Sequence, residues 1–132
     1  MKSSKKTIFL IEDELDIMQV YKTALKSADV DVEGILTGRE AMEKIKEVQE
    51  GKREKPLLVL LDLVLPDING LEILYAIRKN EATKNIAVFI LSNYTSDALT
   101  SMSYIKPEKF LVKANITPTQ LVELVKKQIK DQ

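Results

Sequence analysis

The chain has 132 residues, of which 45% are apolar and 30% charged, and its 20 basic and 20 acidic residues cancel in net charge. This composition predicts one soluble globular domain spanning residues 1–132, and it gives no support to direct nucleic-acid or membrane binding. Cysteine and histidine are absent, which excludes disulfides, thiolate catalysis and imidazole as a base, metal ligand or phosphoryl carrier. No apolar stretch reaches the roughly 18–20 residues of a membrane helix, and none near the start is long enough for a secretory signal, so we expect a cytoplasmic protein.

Apolar strand-like runs alternate along the chain with segments that have the apolar spacing of a helix. The predicted strands are 7–11, 30–36, 57–61, 86–91 and 109–112. Between the fourth and fifth strands lies a weaker candidate helix, 95–103, which is rich in Ser and Thr and is either a poor surface helix or a segment that moves in a switch. Capping-box spacings at Thr37, Asn69 and Thr117 mark three other helix starts. Five βα repeats predict an α/β fold, a doubly wound five-stranded parallel sheet with helices on both faces.

Asp62 is a charged residue inside the otherwise apolar stretch 57–65, which ends at the turn-forming segment 66–70. A buried carboxylate is unfavourable unless it reaches water, a cation or hydrogen-bond donors. At the end of a parallel strand it can do so, because the carboxyl ends of such strands open into a ligand crevice. The stretch alone leaves two interpretations open: a functional acid, or an ordinary strand-ending Asp that caps the next loop.

Polar residues also follow three other predicted strands at the same edge of the sheet. They are Glu12 and Asp13 after the first strand, Ser92 after the fourth and Lys113 after the fifth. Glu12, Asp13 and Asp62 would crowd negative charges together, which is unfavourable without a cation, and a site with oxygen ligands only indicates Mg2+. An acidic nucleophile, Mg2+, a lysine and a hydroxyl can together stabilise phosphoryl transfer onto the carboxylate.

The segments 11–14, 61–70, 90–93 and 110–113 resemble the receiver domain of two-component response regulators, and the resemblance covers essentially the whole chain. The stretch 61–70 is the more specific motif, whereas the acidic pair, the Ser and the Lys are informative only together. The resemblance implies a flavodoxin-like (βα)5 fold with strand order 2-1-3-4-5. It also implies a signalling switch rather than an enzyme, in which the domain catalyses only its own phosphotransfer and autodephosphorylation.

The resemblance implies roles for individual residues. Asp62 is the expected phosphoacceptor, and Ser92 and Lys113 are expected to contact the phosphoryl group. Ser92 and Phe110 are the expected switch residues. The expected Mg2+ ligands are the side chains of Glu12, Asp13 and Asp62 and the backbone carbonyl of Val64.

The expected phosphodonor is a histidine kinase or a histidine phosphotransfer protein, and the output protein is unknown. Phosphorylation is expected to change the face formed by the 95–103 segment, the fifth strand and the C-terminal helix. Residues on or near that face are Tyr94, Met102, Tyr104 and Lys106. The expected oligomeric state is a monomer or a phosphorylation-dependent dimer.

Four residues depart from the usual receiver pattern. Ala114 stands where the family usually has Pro, so a cis peptide is not expected there. Asn93 stands where a small residue is usual, and it narrows access to the phosphoryl group. Val64 and Tyr94 occupy positions that often tune hydrolysis in the family, and neither side chain is suited to position an attacking water. We therefore expect slow autodephosphorylation.

Three other interpretations compete with this one. A haloacid-dehalogenase-type phosphatase would require a second Asp two residues after Asp62, where this chain has Val64. A flavodoxin-like FMN carrier needs Ser, Thr and Gly in its first loop, and the acidic segment 12–14 would repel a phosphate. The third alternative is a degenerate receiver that acts only as a protein-binding module. The presence of the complete set of predicted site residues argues against it.

Overall fold

The computed structural model describes residues 6–93 and 105–132. Its strands are β1 (Lys6–Ile11), β2 (Val30–Ile35), β3 (Leu58–Leu61), β4 (Ala87–Ser92) and β5 (Lys109–Val112). Its α-helices are α1 (Leu15–Leu25), α2 (Gly38–Gln49), α3 (Gly70–Arg78) and α4 (Pro118–Lys130), with 3₁₀ turns at Lys26–Ala28 and Lys113–Asn115. None of these described helices is long and apolar enough to cross a membrane. The candidate helix 95–103 lies outside the described residues, as do Tyr94, Met102 and Tyr104.

All five predicted strands are confirmed, each to within one residue at either end. They form one parallel sheet in the order β2-β1-β3-β4-β5, which is the order implied by the family resemblance. The central strands are almost entirely buried, as expected of parallel strands that have helices on both faces. The pairings Ile11–Leu61 and Leu61–Ile90 place the ends of β1, β3 and β4 side by side.

Alternate side chains of each strand pack into two apolar clusters, one on each face of the sheet. In β1, Phe9 and Ile11 join the cluster beneath α2 and α3, whereas Ile8 and Leu10 join the cluster beneath α1 and α4. This division follows from the two-residue period of a strand, which sends successive side chains to opposite faces. The polar residues beyond the strand ends therefore lie along the edge of a rigid sheet.

The predicted helix caps are present, but only one forms the complete capping box. Thr117 accepts a hydrogen bond from the backbone of Gln120, whose side chain in turn accepts one from the backbone N–H of Thr117. Thr37 accepts from the third amide of α2, without the reciprocal bond to its own N–H. Asn69 accepts from Leu71 N, the second amide of α3, at 2.8 Å. The helix starts are as predicted, and the full box is confirmed at Thr117.

Candidate functional site

Residues from the ends of β1, β3 and β5 converge at the carboxyl edge of the sheet. One carboxylate oxygen from each of Glu12, Asp13 and Asp62 lies within 4.8 Å of the others. The Lys113 Nζ donates to Glu12 Oε1 at 2.7 Å and to Asp62 Oδ2 at 3.0 Å. Backbone pairing continues past the strands, with Asp62 N donating to Ile11 O at 3.1 Å, and this aligns the two acidic segments. The structure thus brings together four of the residues that the sequence predicts for the site.

Burial and the neighbouring charges shift the pKa values of Glu12 and Lys113 in opposite directions. Burial raises the pKa of the Glu12 carboxyl, and hydrogen bonds from Lys113 and from the backbone of Glu14 oppose that rise only in part. Burial lowers the pKa of Lys113, but the hydrogen bonds to Glu12 and Asp62 outweigh it and raise that pKa above its ordinary value. Lys113 therefore remains an ammonium at neutral pH. Glu12 and Asp62 share this one ammonium and the Asp13 carboxylate lies beside them, which leaves an excess of negative charge suited to a cation.

The loop after Asp62 closes tightly on itself. The backbone N–H of Val64 donates to Asp62 Oδ1 at 3.1 Å, and Gly70 N donates to Leu63 O at 2.8 Å. A bridge between Val64 and Asn69 joins the two sides of the loop. A Cβ added to Gly70 would lie 2.5 Å from the carbonyl oxygen of Asp62, so only glycine allows this approach. The glycine that ends the sequence motif therefore has a steric role beside the predicted acceptor.

A cavity of about 260 Å³ opens above the acidic cluster. It is lined by Asp13, Glu14, Asp62, Val64, Asn93 and Lys113. Mg2+ typically binds one or two carboxylates and keeps several waters, for which this volume has room. The oxygen-only donor set and the surplus negative charge therefore fit a hard divalent cation.

Neither of the two predicted switch residues is among the residues that line this cavity. Ser92 is the last residue of β4 and is fully buried. Phe110 lies opposite Ile90 in the β4–β5 pairing, and its half-buried ring packs against the cluster beneath α2 and α3. Their switching roles remain predictions.

Two of the residues that depart from the family pattern contact each other. Asn93 Oδ1 accepts a hydrogen bond from the backbone N–H of Ala114 at 3.1 Å. Proline has no N–H, so this bond depends on a residue other than Pro at position 114. The described residues contain no cis peptide bond, so the bond before Ala114 is trans. The contact ties the end of β4 to the turn that carries Lys113, and sequence reasoning did not predict it.

We expect Asn93→Ala to destabilise the protein by about 1 kcal/mol, the usual net contribution of one hydrogen bond. In an Ala114→Pro background the same substitution is expected to have no further effect, because the donor is already absent. Urea unfolding of the two single variants and the double variant measures this coupling. Additive losses would show that the bond contributes nothing to stability.

Tyr21 is a residue near the site for which the sequence gives only the apolar spacing of a helix, three residues after Met18 and four before Leu25. It is buried in α1 and lines a groove that also includes Lys113. Burial raises the pKa of its hydroxyl, and the charges of Lys113, Glu12 and Asp62 act on it as well. Helical spacing predicts the burial correctly but carries no signal that the ring lies beside an acidic cluster.

This fold and this site together define the receiver domain class. The response regulator receiver domain profile matches residues 8–126, and the chain belongs to that family. The family assignment made from the sequence is therefore confirmed. Receiver domains as a class are signalling switches of two-component systems rather than classical enzymes.

Individual relatives agree with this assignment. The regulatory protein LuxO of Vibrio cholerae serotype O1 is 34% identical over 104 residues, which are 79% of this chain and 21% of LuxO. The chain thus spans about a fifth of the length of that relative. The phosphorylated cyanobacterial phytochrome response regulator RcpA has a TM-score of 0.77 and 29% identity, over 94% of this chain and 91% of its own. The Mn(2+)-bound form of response regulator Rcp1 has a TM-score of 0.74 and 25% identity, over 96% of this chain and 90% of its own.

Proposed function

We propose that this chain is a phosphoacceptor switch in which Asp62 receives a phosphoryl group from a phosphohistidine of a partner protein. The observation that carries the proposal is the position of Asp62, whose carboxylate is bonded to Lys113 at 3.0 Å and lines a cavity together with Asp13. An ordinary loop-capping Asp would not require this second acid and lysine. Their convergence also counts against a degenerate receiver that acts only as a binding module.

In the proposed reaction, a carboxylate oxygen of Asp62 attacks phosphorus, and the bond from phosphorus to the donor nitrogen breaks as the acyl phosphate forms. Lys113 is proposed to pair with a phosphoryl oxygen, and the Ser92 hydroxyl is proposed to donate to another after moving inward. Mg2+, when bound, neutralises charge on the transferring group. Its proposed ligands are Glu12, Asp13 and Asp62 with the backbone carbonyl of Val64. The similar response regulator Rcp1 is known in a Mn(2+)-bound form, which is consistent with metal binding by this fold.

The proposed partners follow from this chemistry. The phosphodonor is a histidine kinase or a histidine phosphotransfer protein, and the new negative charge near Lys113 biases the β4 end and Phe110 toward a second arrangement. The face that includes β5 and α4 is the proposed output surface, with a monomer or a phosphorylation-dependent dimer as the working unit. The proposed location is the cytoplasm, and residues 1–132 are proposed to act as one receiver domain.

The test is intact-mass spectrometry of the purified chain after incubation with acetyl phosphate or phosphoramidate, in Mg2+ or in EDTA. We expect one phosphoryl adduct in Mg2+ and little or none in EDTA. The adduct is expected to be lost on treatment with hydroxylamine, which cleaves acyl phosphates. No adduct in Mg2+, or a hydroxylamine-resistant one, would refute the proposal.

We also predict a long-lived acyl phosphate, with a lifetime well above seconds. Val64 lines the cavity and is 49% exposed, so it presents an apolar surface where a polar side chain would orient an attacking water. Val64→Asn is expected to accelerate hydrolysis about tenfold, which corresponds to about 1.4 kcal/mol in the barrier. The readout is the decay of the adduct after removal of the phosphodonor.

Val20→Asn is the matched control, because Val20 is 50% exposed but belongs to α1 rather than to the lining of this cavity. It should leave the decay unchanged. Decay of the wild-type adduct within seconds in Mg2+ would contradict the prediction.

A further inference from the structure

The loop that follows Asp62 is bonded to the first turn of α2 through the side chain of Asp67. Its Oδ1 accepts a hydrogen bond from Gly38 N and its Oδ2 accepts one from Arg39 N, both at 2.8 Å. The first amides of a helix have no acceptor within the helix, so a carboxylate from elsewhere can cap them. The capping residue here lies 29 and 28 positions away in the chain. These bonds, from Arg39 and from Gly38, hold the pKa of the Asp67 carboxyl below its usual range.

A second feature shows that the contact between this loop and α2 is specific. A Cβ added to Gly38 would lie 2.2 Å from Ile68 Cγ1 and 3.0 Å from Asp67 Oδ1. Any side chain at position 38 would therefore displace the loop or the Ile68 side chain. Ile68 also packs against the apolar cluster beneath α2 and α3. The paired carboxylate bonds and the absence of a side chain at Gly38 together join the loop to the helix.

The contact between this loop and α2 is relevant to the site because the same loop carries Val64. Val64, Asp67 and Asn69 are exposed, so burial alone does little to hold this part of the loop in place. One end is held by the bond from Val64 N to Asp62 Oδ1, and the bridge between Val64 and Asn69 closes the base. The Asp67 carboxylate adds two charge-assisted bonds to a different element, which are stronger than bonds between neutral groups.

We propose that Asp67 is a positioning residue for the metal site, in which its carboxylate holds the loop against α2 and thereby fixes the orientation of the Val64 backbone carbonyl. This inference rests on the proposed function, since it concerns the Mg2+ binding that phosphoryl transfer requires. Asp67 itself contacts neither the metal nor the phosphoryl group. Its removal leaves the ligand set unchanged but lets the loop sample orientations in which the carbonyl cannot bind.

The test is titration of the purified chain with MgCl2 by isothermal titration calorimetry. Asp67→Ala is expected to raise the Mg2+ dissociation constant about tenfold, as is usual when a group that orients a metal ligand is lost. Asp67→Asn keeps one side-chain oxygen that can accept from Gly38 N, so it is expected to raise the Mg2+ dissociation constant less than Asp67→Ala does. At saturating Mg2+, both variants should be phosphorylated by acetyl phosphate at the wild-type rate, because Asp62 and Lys113 are unchanged.

Thr37→Ala is the matched control for a loss of helix stability. It removes the other cap of the same helix end, in which Thr37 Oγ1 accepts from Glu40 N at 3.1 Å, and leaves the Asp67 bonds in place. We expect it to lower the melting temperature comparably while the Mg2+ dissociation constant stays at the wild-type value. An equal rise of the Mg2+ dissociation constant in Thr37→Ala, or no rise of it in Asp67→Ala, would overturn the positioning role of Asp67.

Asp13→Asn in the same titration separates this inference from the proposed function. If Asp13→Asn weakens Mg2+ binding and Asp67→Ala does not, the positioning role alone fails. If the wild type binds no Mg2+, or Asp13→Asn binds it as the wild type does, the acidic cluster is not the metal site and both proposals fail. The expected outcome is weakened binding in both variants, with the larger loss in Asp13→Asn.

Discussion

Replacing Asp62 with Asn is expected to abolish the phosphoryl adduct. Asn keeps the shape of the side chain and one acceptor oxygen, but a neutral amide oxygen does not replace a carboxylate as the nucleophile. The variant also removes one of the carboxylates proposed to bind Mg2+. Intact-mass spectrometry after incubation with acetyl phosphate and Mg2+ should therefore detect only unmodified protein.

The control for this variant is Asp131→Asn, the same substitution at an exposed position beyond α4. It should be phosphorylated as the wild type is. Asp62→Asn is expected to change the free energy of unfolding by no more than about 1 kcal/mol, because relief of carboxylate crowding offsets the lost ion pair with Lys113. A folded Asp62→Asn variant with an undiminished adduct would show that another residue accepts the phosphoryl group.

Replacing Lys113 with Met is expected to slow phosphorylation about 100-fold, the effect of losing one group that stabilises developing charge in a transition state. It is also expected to destabilise the metal-free protein by about 2 kcal/mol. The reason is that Glu12 is 2% exposed and its contact with Lys113 is 2.7 Å, so its charge would be left buried and unpaired. The effect falls below the 3–5 kcal/mol of a fully buried pair because the backbone N–H of Glu14 still donates to Glu12 Oε2 at 3.0 Å.

The measurement is the rate of adduct formation together with urea unfolding, each with and without Mg2+. Mg2+ is expected to restore much of the lost stability, since a cation again neutralises the carboxylates, but not the rate of phosphorylation. Lys109→Met is the matched control, because Lys109 is exposed and begins β5, the strand that Lys113 directly follows. A Lys113→Met variant that is phosphorylated as fast as Lys109→Met would remove Lys113 from the proposed mechanism.

Much of the fold and the acidic cluster is predictable because the signals are local. The apolar run ending at Leu61 and the polar residues beyond it indicate a buried strand whose end opens to a site, and parallel pairing then places Asp62 next to the end of β1. The same reasoning locates Lys113 at the end of β5. Neither step needs knowledge of side-chain contacts between distant segments.

The contacts that support the site were not predictable in this way. Asp67 appears in the sequence as a turn residue, yet it bonds to Gly38 and Arg39. Asn93 appears as an obstruction, yet its side chain accepts from Ala114, 21 positions later. A turn or a strand end predicts where the chain bends, whereas the partner of its side chain depends on which loops the packed helices bring together.

By itself, then, the sequence determines the parallel α/β sheet, the family and the acidic residues at its carboxyl edge, because periodicity and strand-end polarity are properties of short segments. The tertiary structure alone decides that Lys113 bonds to both Glu12 and Asp62, and that the acceptor loop is held from α2 by Asp67. Hydrogen bonds form only over about 3 Å, so they depend on how the elements pack and not on sequence spacing. The described residues thus show an acidic cluster predicted from local pattern and held in place by contacts that only the folded chain forms.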